Sequence, residues 1–393
     1  MDTTVCQVVV IGGGYAGVMA ANRLQGSGKA DVTLVNPRPR FVERIRLHQL
    51  AVDNDDAVEE YSTILNPDVG LVVGAAARIH APERHVVLAS GAALGYDYLV
   101  YAVGSTGHVP AAVRGAAEHA YPIGELEQAQ RLRTRLADLT PSAPIVVVGG
   151  GLTGIEAASE FAEAGRSVTL VSDQIAPTLS KPGRRSVARQ LAQRGVTVVE
   201  GPGAAVAAVA AAHVELADGS LLPSEVTVWT AGFGVPPLAA TSGLTTDSWG
   251  RLLTDETLTS VDDVRIVATG DAASPSGMPF RMSCQAGLPL GARAGDTVLA
   301  RWGNLPVADV RVAMYAQCIS LGRDGGTVQL QRSDDTPRNF YVGGRAGAFI
   351  KERVCRQTLQ WMRDEAFDPG SYTTPRGPER TGTMPSPHLP AAS

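Results

Sequence analysis

Two sets of glycines in this sequence have the spacing that lets a backbone take hold of a phosphate. Gly12-x-Gly14-x-x-Gly17 follows the apolar run Val8–Ile11, and Gly149-x-Gly151-x-x-Gly154 follows Ile145–Val148. In each set the leading glycine permits a sharp strand-to-helix turn. The next lets the main chain approach a pyrophosphate, and the third lets helix and strand pack closely. Free N–H groups and the positive helix end attract the anion, each favourable charge contributing about 0.3–1 kcal/mol. One such loop alone is a commonplace turn. Two in the same strand–helix setting point to two dinucleotides.

The residue closing the second strand of such a unit usually meets the adenosine ribose. In the first unit it is Asn36, a neutral substitute that suits FAD, which has no 2′-phosphate to reject. In the second unit Ser172 is followed by Asp173, a carboxylate that disfavours the 2′-phosphate of NADPH. Arg184 and Arg185 lie near in sequence and would accommodate that phosphate, so NADH and NADPH both stay open.

These loops need matching scaffolds, and the chain supplies the same one twice. "VVVIGGGYAGVMAANRL" from Val8 has a near copy in "IVVVGGGLTGIEAASEF" from Ile145. Each leads to a second apolar strand, Val32–Asn36 and Val168–Asp173. Each half later shows a strand, a Ser-Gly or Asp-Gly turn (Gly91, Gly219), a returning strand, and a last apolar strand ending in glycine (Gly104, Gly232). Glycine accepts the positive φ of a tight hairpin without a Cβ clash. Apolar strands alternating with helices predict parallel sheets covered on both faces, an α/β fold of two Rossmann-like units.

Bulk properties fit. A net charge of −5 with no basic cluster excludes a broad nucleic-acid surface, and 44% hydrophobic content supplies ample core. The four cysteines form no CxxC or similar close pair, so the sequence supports neither a thiolate zinc site nor a local redox disulfide, and they read as buried or incidental thiols. The first strand starts too near Met1 for a signal peptide, and the apolar tract from Gly203 is shorter than the roughly 20 residues a bilayer span needs. A cytoplasmic location is expected, with no metal.

Taken together, these residues resemble the two-dinucleotide-binding flavoproteins, nearest to type II NADH dehydrogenases and the ferroptosis-suppressor-like quinone reductases, over about Val5 to Trp361. The resemblance implies an FAD domain of residues 1–115 and 240–305, an inserted NAD(P)H domain of 116–239, and a C-terminal α+β domain of 306–367. "DVRIVATGDAA" resembles the family's second flavin motif, in which Gly270 permits close approach and Asp271 binds the ribityl or pyrophosphate part of FAD. "MSCQAGLPLGARAGDTVLA" from Met282 resembles the helix whose N-terminus faces the flavin; Pro289 marks either its start or a bend. Ala16, Arg44, Ala102 and Gly104 complete the implied FAD-binding set, and Gly232 joins the second loop. Gln285 matches a residue facing flavin or quinone, with a helix-cap or surface glutamine as the alternative. Glu156 matches a glutamate beside the nicotinamide, against a solvated carboxylate. Lys351 resembles a lysine that approaches the flavin, against a solvated lysine. His48, in the charged run Arg44–Gln49, is a proton-donor candidate, against a solvent-facing loop. The redox cysteine pair of disulfide-reducing relatives is missing.

"GRAGAFIKERVCRQTLQWM" from Gly344 reads as an amphipathic helix. Ala348, Phe349, Val354, Leu359 and Met362 form its apolar side, and Lys351, Glu352, Arg353 and Arg356 lie opposite. Such a domain in the family contributes to dimerisation or to peripheral contact with the inner face of the membrane. From Asp368 the composition turns to Pro, Gly, Ser and Thr, which predicts a disordered tail over 368–393. The function implied is hydride transfer from NAD(P)H to flavin, then electrons to a quinone-like acceptor. The alternatives are a reductase for a ferredoxin- or rubredoxin-type protein, or a nucleotide-binding redox sensor.

Overall fold

The computed structural model describes residues 5–380. Strand β1 (Cys6–Ile11) turns into helix α1 (Tyr15–Gly26) and strand β2 (Ala30–Asn36). Strands β3 (Gly70–Val73) and β4 (Tyr98–Tyr101) extend the sheet. A second unit repeats the plan. It contains β5 (Ala120–Pro122), β6 (Pro144–Val148), α2 (Leu152–Glu163), β7 (Ser167–Ser172), α3 (Lys181–Gln193), β8 (Thr197–Glu200) and β9 (Val226–Trp229). Strand β10 (Ile266–Ala268) then returns to the first sheet. The strand orders are β10-β4-β1-β2-β3 and β5-β9-β6-β7-β8, parallel throughout. Val, Ile and Leu bury both faces of the central strands, as such sheets require.

Between β3 and β4 lies a three-stranded antiparallel sheet (Ala76–His80, His85–Leu88, Ala93–Gly95). Its counterpart (Val206–Val209, His213–Leu216, Leu221–Pro223) lies between β8 and β9. Gly91 and Gly219 turn these sheets at φ +87° and +84°, the conformation their Ser-Gly and Asp-Gly pairs predict. The chain crosses to the second unit at Thr106–Gly107 and returns at Phe233–Gly234, and these two segments pair antiparallel.

Helix α4 (Cys284–Trp302) starts at Ser283, whose hydroxyl accepts from Ala286 N–H, so Pro289 stands in its second turn rather than at its start. Helix α4 lies on α1 at very short range: a Cβ on Gly291 would sit 2.3 Å from the Ala16 carbonyl, so glycine is required. The C-terminal layer is an antiparallel sheet of β11 (Ala316–Ser320), β12 (Gly326–Gln331) and β13 (Pro337–Gly343), covered by α5 (Gly344–Phe367). No helix among the described residues is long and apolar enough to cross a membrane.

Two sequence expectations need correction here. The buried face of α5 holds Gly347, Cys355, Thr358, Leu359 and Met362, but Phe349 is 72% exposed and Val354 faces outward. Lys351 turns inward instead, because a carboxylate waits there. The disordered tail is corrected for Asp368–Arg380, which packs on the body with Tyr372 buried; residues 381–393 lie outside the described residues.

Candidate functional site

In the first loop, Gly12 holds φ +104° and a Cβ there would collide with the Ala102 carbonyl at 2.3 Å. A Cβ on Gly17 would meet the Gly12 carbonyl at 1.8 Å. The second loop repeats this: Gly149 sits at φ +119°, and Gly154 would strike the Gly149 carbonyl at 1.9 Å. Gly14 and Gly151 differ. Each caps its helix with extended backbone that any residue adopts, and a Cβ at either would meet nothing within 4 Å. The fold itself gives no reason for glycine at 14 or 151. An open face above main-chain N–H groups at a helix end is the cradle a pyrophosphate needs.

Beside the first loop two cavities, of about 300 and 450 Å³, share Gly14, Arg44, Ala102, Gly104, Ser105 and Gly124 as wall, and so form one trough. Its glycine floor, open above Gly14, fits the pyrophosphate of FAD. Asn36 lines the narrower end, where its carboxamide serves the loop: Oδ1 accepts from Gly13 N–H at 3.0 Å and Nδ2 donates to the Arg38 carbonyl at 2.8 Å. The Tyr61 hydroxyl, which the sequence did not flag, donates to the Gly13 carbonyl at 2.8 Å.

Midway along the trough Arg44 Nη1 donates to Ser105 Oγ (3.0 Å), and Ser105 Oγ donates to Asp271 Oδ2 (2.6 Å). Arg44 Nε is fixed by the Gly124 carbonyl at 2.9 Å. Burial pushes the Asp271 carboxyl above its usual range, while Ser105 and Arg44 oppose the rise. Gly270 (φ +68°) closes on Ala16, whose Cβ would lie 2.9 Å from an added Cβ. Gly104 turns at φ +70°.

The wider end of the trough gathers His48, Glu156, Gln285 and Lys351. Lys351 Nζ pairs with Glu156 Oε1 at 2.9 Å, and the Ser320 N–H donates to the same oxygen at 3.0 Å. Burial alone would raise the Glu156 carboxyl, but Lys351, His48 and the Ser320 N–H together hold it below the ordinary range. Burial alone would lower the Lys351 ammonium, and Glu156 reverses this and raises it. Both solvated alternatives are therefore overturned. The solvent-facing alternative for His48 fails too, for the residue is 3% exposed. Burial, with Lys351, Arg323 and Arg46 alongside and only Glu156 opposing, pushes its imidazolium down to about 4. At neutral pH His48 is uncharged, so it offers a hydrogen bond rather than an acidic proton. Its segment is clasped by Arg46, which reaches Glu43 at 3.3 Å and Glu352 of α5 at 3.2 Å.

Gln285 is satisfied with its nitrogen donating to the Ala316 carbonyl at 2.7 Å and its oxygen accepting from Tyr315 N–H at 3.3 Å, which ties α4 to β11. Cys284, Cys318 and Cys355 also line this end, which no spacing in the sequence revealed. All are free; burial pushes Cys284 up to about 12 and Cys318 up to about 11, and raises Cys355 as well. They are protonated thiols at neutral pH.

The second loop reaches this end through the first turn of α2, which contributes Leu152, Thr153 and Glu156 to the wall. Gly149, Gly151, Gly154, Asp173 and Gly232 are not part of that wall. Asp173 is exposed after β7, its Oδ1 accepting from Gln174 N–H at 2.8 Å. Arg184 is engaged elsewhere, donating to Glu200 Oε1 and the Ile175 carbonyl at 3.0 Å each, while Arg185 is exposed.

Residues 6–288 match the family described as pyridine nucleotide-disulphide oxidoreductase. An NADH dehydrogenase-like protein of Mycobacterium tuberculosis is 30% identical over 350 residues, covering 81% of this chain and 86% of the relative. A demethylphylloquinone reductase of Synechocystis is 24% identical, covering 82% and 86%. Among solved structures, the sulfide:quinone oxidoreductase of Aquifex aeolicus superposes with TM-score 0.78 at 20% identity, covering 93% of each chain; at that identity the likeness is one of fold.

Proposed function

This chain belongs to the pyridine nucleotide-disulphide oxidoreductase family, an enzyme with FAD and NADH or NADPH as its cofactors, and from that premise we propose that it reduces a quinone-like acceptor. FAD, when bound, supplies the redox chemistry, accepting a hydride and passing on two electrons. The first loop and the Arg44–Ser105–Asp271 chain would hold FAD in the trough, and the second loop would hold the nicotinamide dinucleotide. One observation carries the reading. The second unit's Glu156 and the C-terminal layer's Lys351 meet as a buried pair at the wide end of the trough. There they would fix the geometry of donor and acceptor against the flavin position.

The residues divide the work. Ser320 N–H and Lys351 hold Glu156 ionised and oriented. Lys351 keeps its proton and stabilises negative charge that develops beside it. The N-terminus of α4 opens on the same space at Ser283–Gln285, and its positive end favours an anion by about 0.3–1 kcal/mol. Neutral His48 offers a hydrogen bond without adding charge. The protonated thiols favour direct electron passage over a thiol relay.

Tyr315, Val354 and Trp361 line the cavity and also reach solvent. That apolar entrance favours a flat organic ring over an acidic carrier protein. The test is anaerobic mixing of the purified yellow protein with NADH and with NADPH, followed by quinones, a ferredoxin and oxygen. Bleaching by a nicotinamide nucleotide and fastest recovery with quinones is the expected result. Absence of bleaching with both nucleotides removes the proposal.

A further inference from the structure

Beyond α5 the chain crosses the body as a strap, Ser371–Arg380, that is fastened at both ends. At the near end Gly370 and Tyr372 N–H groups donate to the two oxygens of Glu365, at 3.1 and 2.9 Å. Glu365 is fully buried and paired with Arg23 at 3.0 Å, and Arg23 Nη2 also donates to the Tyr372 carbonyl at 2.6 Å. In the middle, Ala313 N–H donates to the Pro375 carbonyl and Gly377 N–H to the Arg311 carbonyl, each at 3.1 Å. At the far end Arg380 pairs with Glu256 at 2.8 Å, donates to the carbonyls of Pro275 and Met278, and stacks 4.4 Å over the Phe280 ring. The Glu256 carboxylate is buried and its Oε1 has no partner among the described residues, so Arg380 is the group that balances it.

The strap carries Tyr372 and Pro375, and both line the wide end of the trough. Tyr372 meets Trp361 edge-on at 5.8 Å. Tyr372 is also the strap's one buried apolar residue, so the strap is held by hydrogen bonds and two ion pairs, the buried Arg380–Glu256 and the exposed Arg311–Glu379 at 2.8 Å, rather than by core. Segments of that kind open at a smaller free energy than the whole fold.

We propose that Ser371–Arg380 is a latched wall of the acceptor cavity, and that the Arg380–Glu256 pair sets how bulky an acceptor is admitted. The inference rests on the quinone-reductase reading and adds the element that selects among acceptors.

The test is Arg380→Gln in the full-length flavoprotein, with three readouts. Amide exchange at Ala313 and Gly377 should quicken by roughly tenfold or more as the strap loosens. The kcat/KM ratio for a long-chain over an unsubstituted naphthoquinone should rise by about threefold or more, a difference equivalent to under one decade of selectivity. The rate of flavin bleaching by the nicotinamide nucleotide should not change. Unchanged exchange, or faster exchange with an unchanged acceptor ratio, overturns the proposal. Failure of the unmutated protein to bleach overturns the underlying reading instead. Where a lone buried Glu256 prevents folding of the single variant, Glu256→Gln with Arg380→Gln removes both charges, and the same readouts decide.

Discussion

The two nucleotide units share strand order, loop geometry and hairpin, yet one is closed and the other open. In the first, the loop is braced from behind by Asn36 and Tyr61, and the trough runs on beneath Arg44 to the C-terminal layer. In the second, Ser172 stands where Asn36 does, an exposed Asp173 follows it, and Gly150 is braced by its own strand-end turn, its carbonyl accepting from Ala176 N–H at 2.8 Å, rather than by a side chain from a distant segment. On the proposed assignment, the contrast would separate a group that stays from one that comes and goes. A resident cofactor rewards a braced cradle, whereas a nucleotide that must leave each turnover is better served by a rim at the surface.

The strongest challenge to that contrast is a pair of valines. Gly14→Val should give colourless protein with no NADH oxidation. Gly151→Val should stay yellow and raise the KM for nicotinamide nucleotide by roughly tenfold or more. Absorbance spectra and steady-state rates check both, and equal flavin content with equal KM in the two variants would erase the distinction.

Where the units meet, Lys351→Met leaves Glu156 buried and unpaired. Breaking such a pair costs about 3–5 kcal/mol, visible as a lower denaturation midpoint, and activity should fall with it. Glu156→Gln in the same background should recover part of the stability, because no charge is then stranded.

A third measurement sharpens the role of His48. Its folded pKa of about 4 lies below the ordinary 6.5, so the unfolded chain binds its proton first as the pH falls. The associated stability is fully present above pH 6.5 and is lost on descending towards pH 4, with a size of up to about 3 kcal/mol. Denaturation at a series of pH values should show this loss, and His48→Asn should flatten it.

The smallest effect separates the two ribose-end residues. Asn36→Ala removes a loop brace and should cost about 0.5–1.5 kcal/mol by chemical denaturation. Asp173→Ala should leave stability within about 0.5 kcal/mol and narrow the preference between NADH and NADPH.

Much of the architecture was legible because glycine requirements are local. Gly12, Gly17, Gly149 and Gly154 are dictated by neighbours a few ångströms away along the same unit, so the repeat in the chain maps onto a repeat in space. The environment of Lys351 was hidden, since α5 alone offers a cation on a polar-looking side and only the packing of α2 supplies the carboxylate. His48 stood in a run of charges that reads as surface, yet Arg46 spends that charge internally on Glu43 and Glu352. The convergence of Cys284, Cys318 and Cys355 depends on how α4, β11 and α5 cross, which no spacing encodes. The strap escaped detection for a different reason: its composition buries little apolar area, and its fastening relies on carboxylates placed elsewhere in the chain.

The antiparallel stem formed by Thr106–Gly107 and Phe233–Gly234 has a consequence for how such proteins diversify. The departing and returning strands stand side by side, so everything between them is an insertion with adjoining ends. A unit of different coenzyme preference grafted at this junction would leave the first sheet unbroken, provided that it restores the wall at Ile123, Gly124 and Glu156 and the carbonyl that holds Arg44.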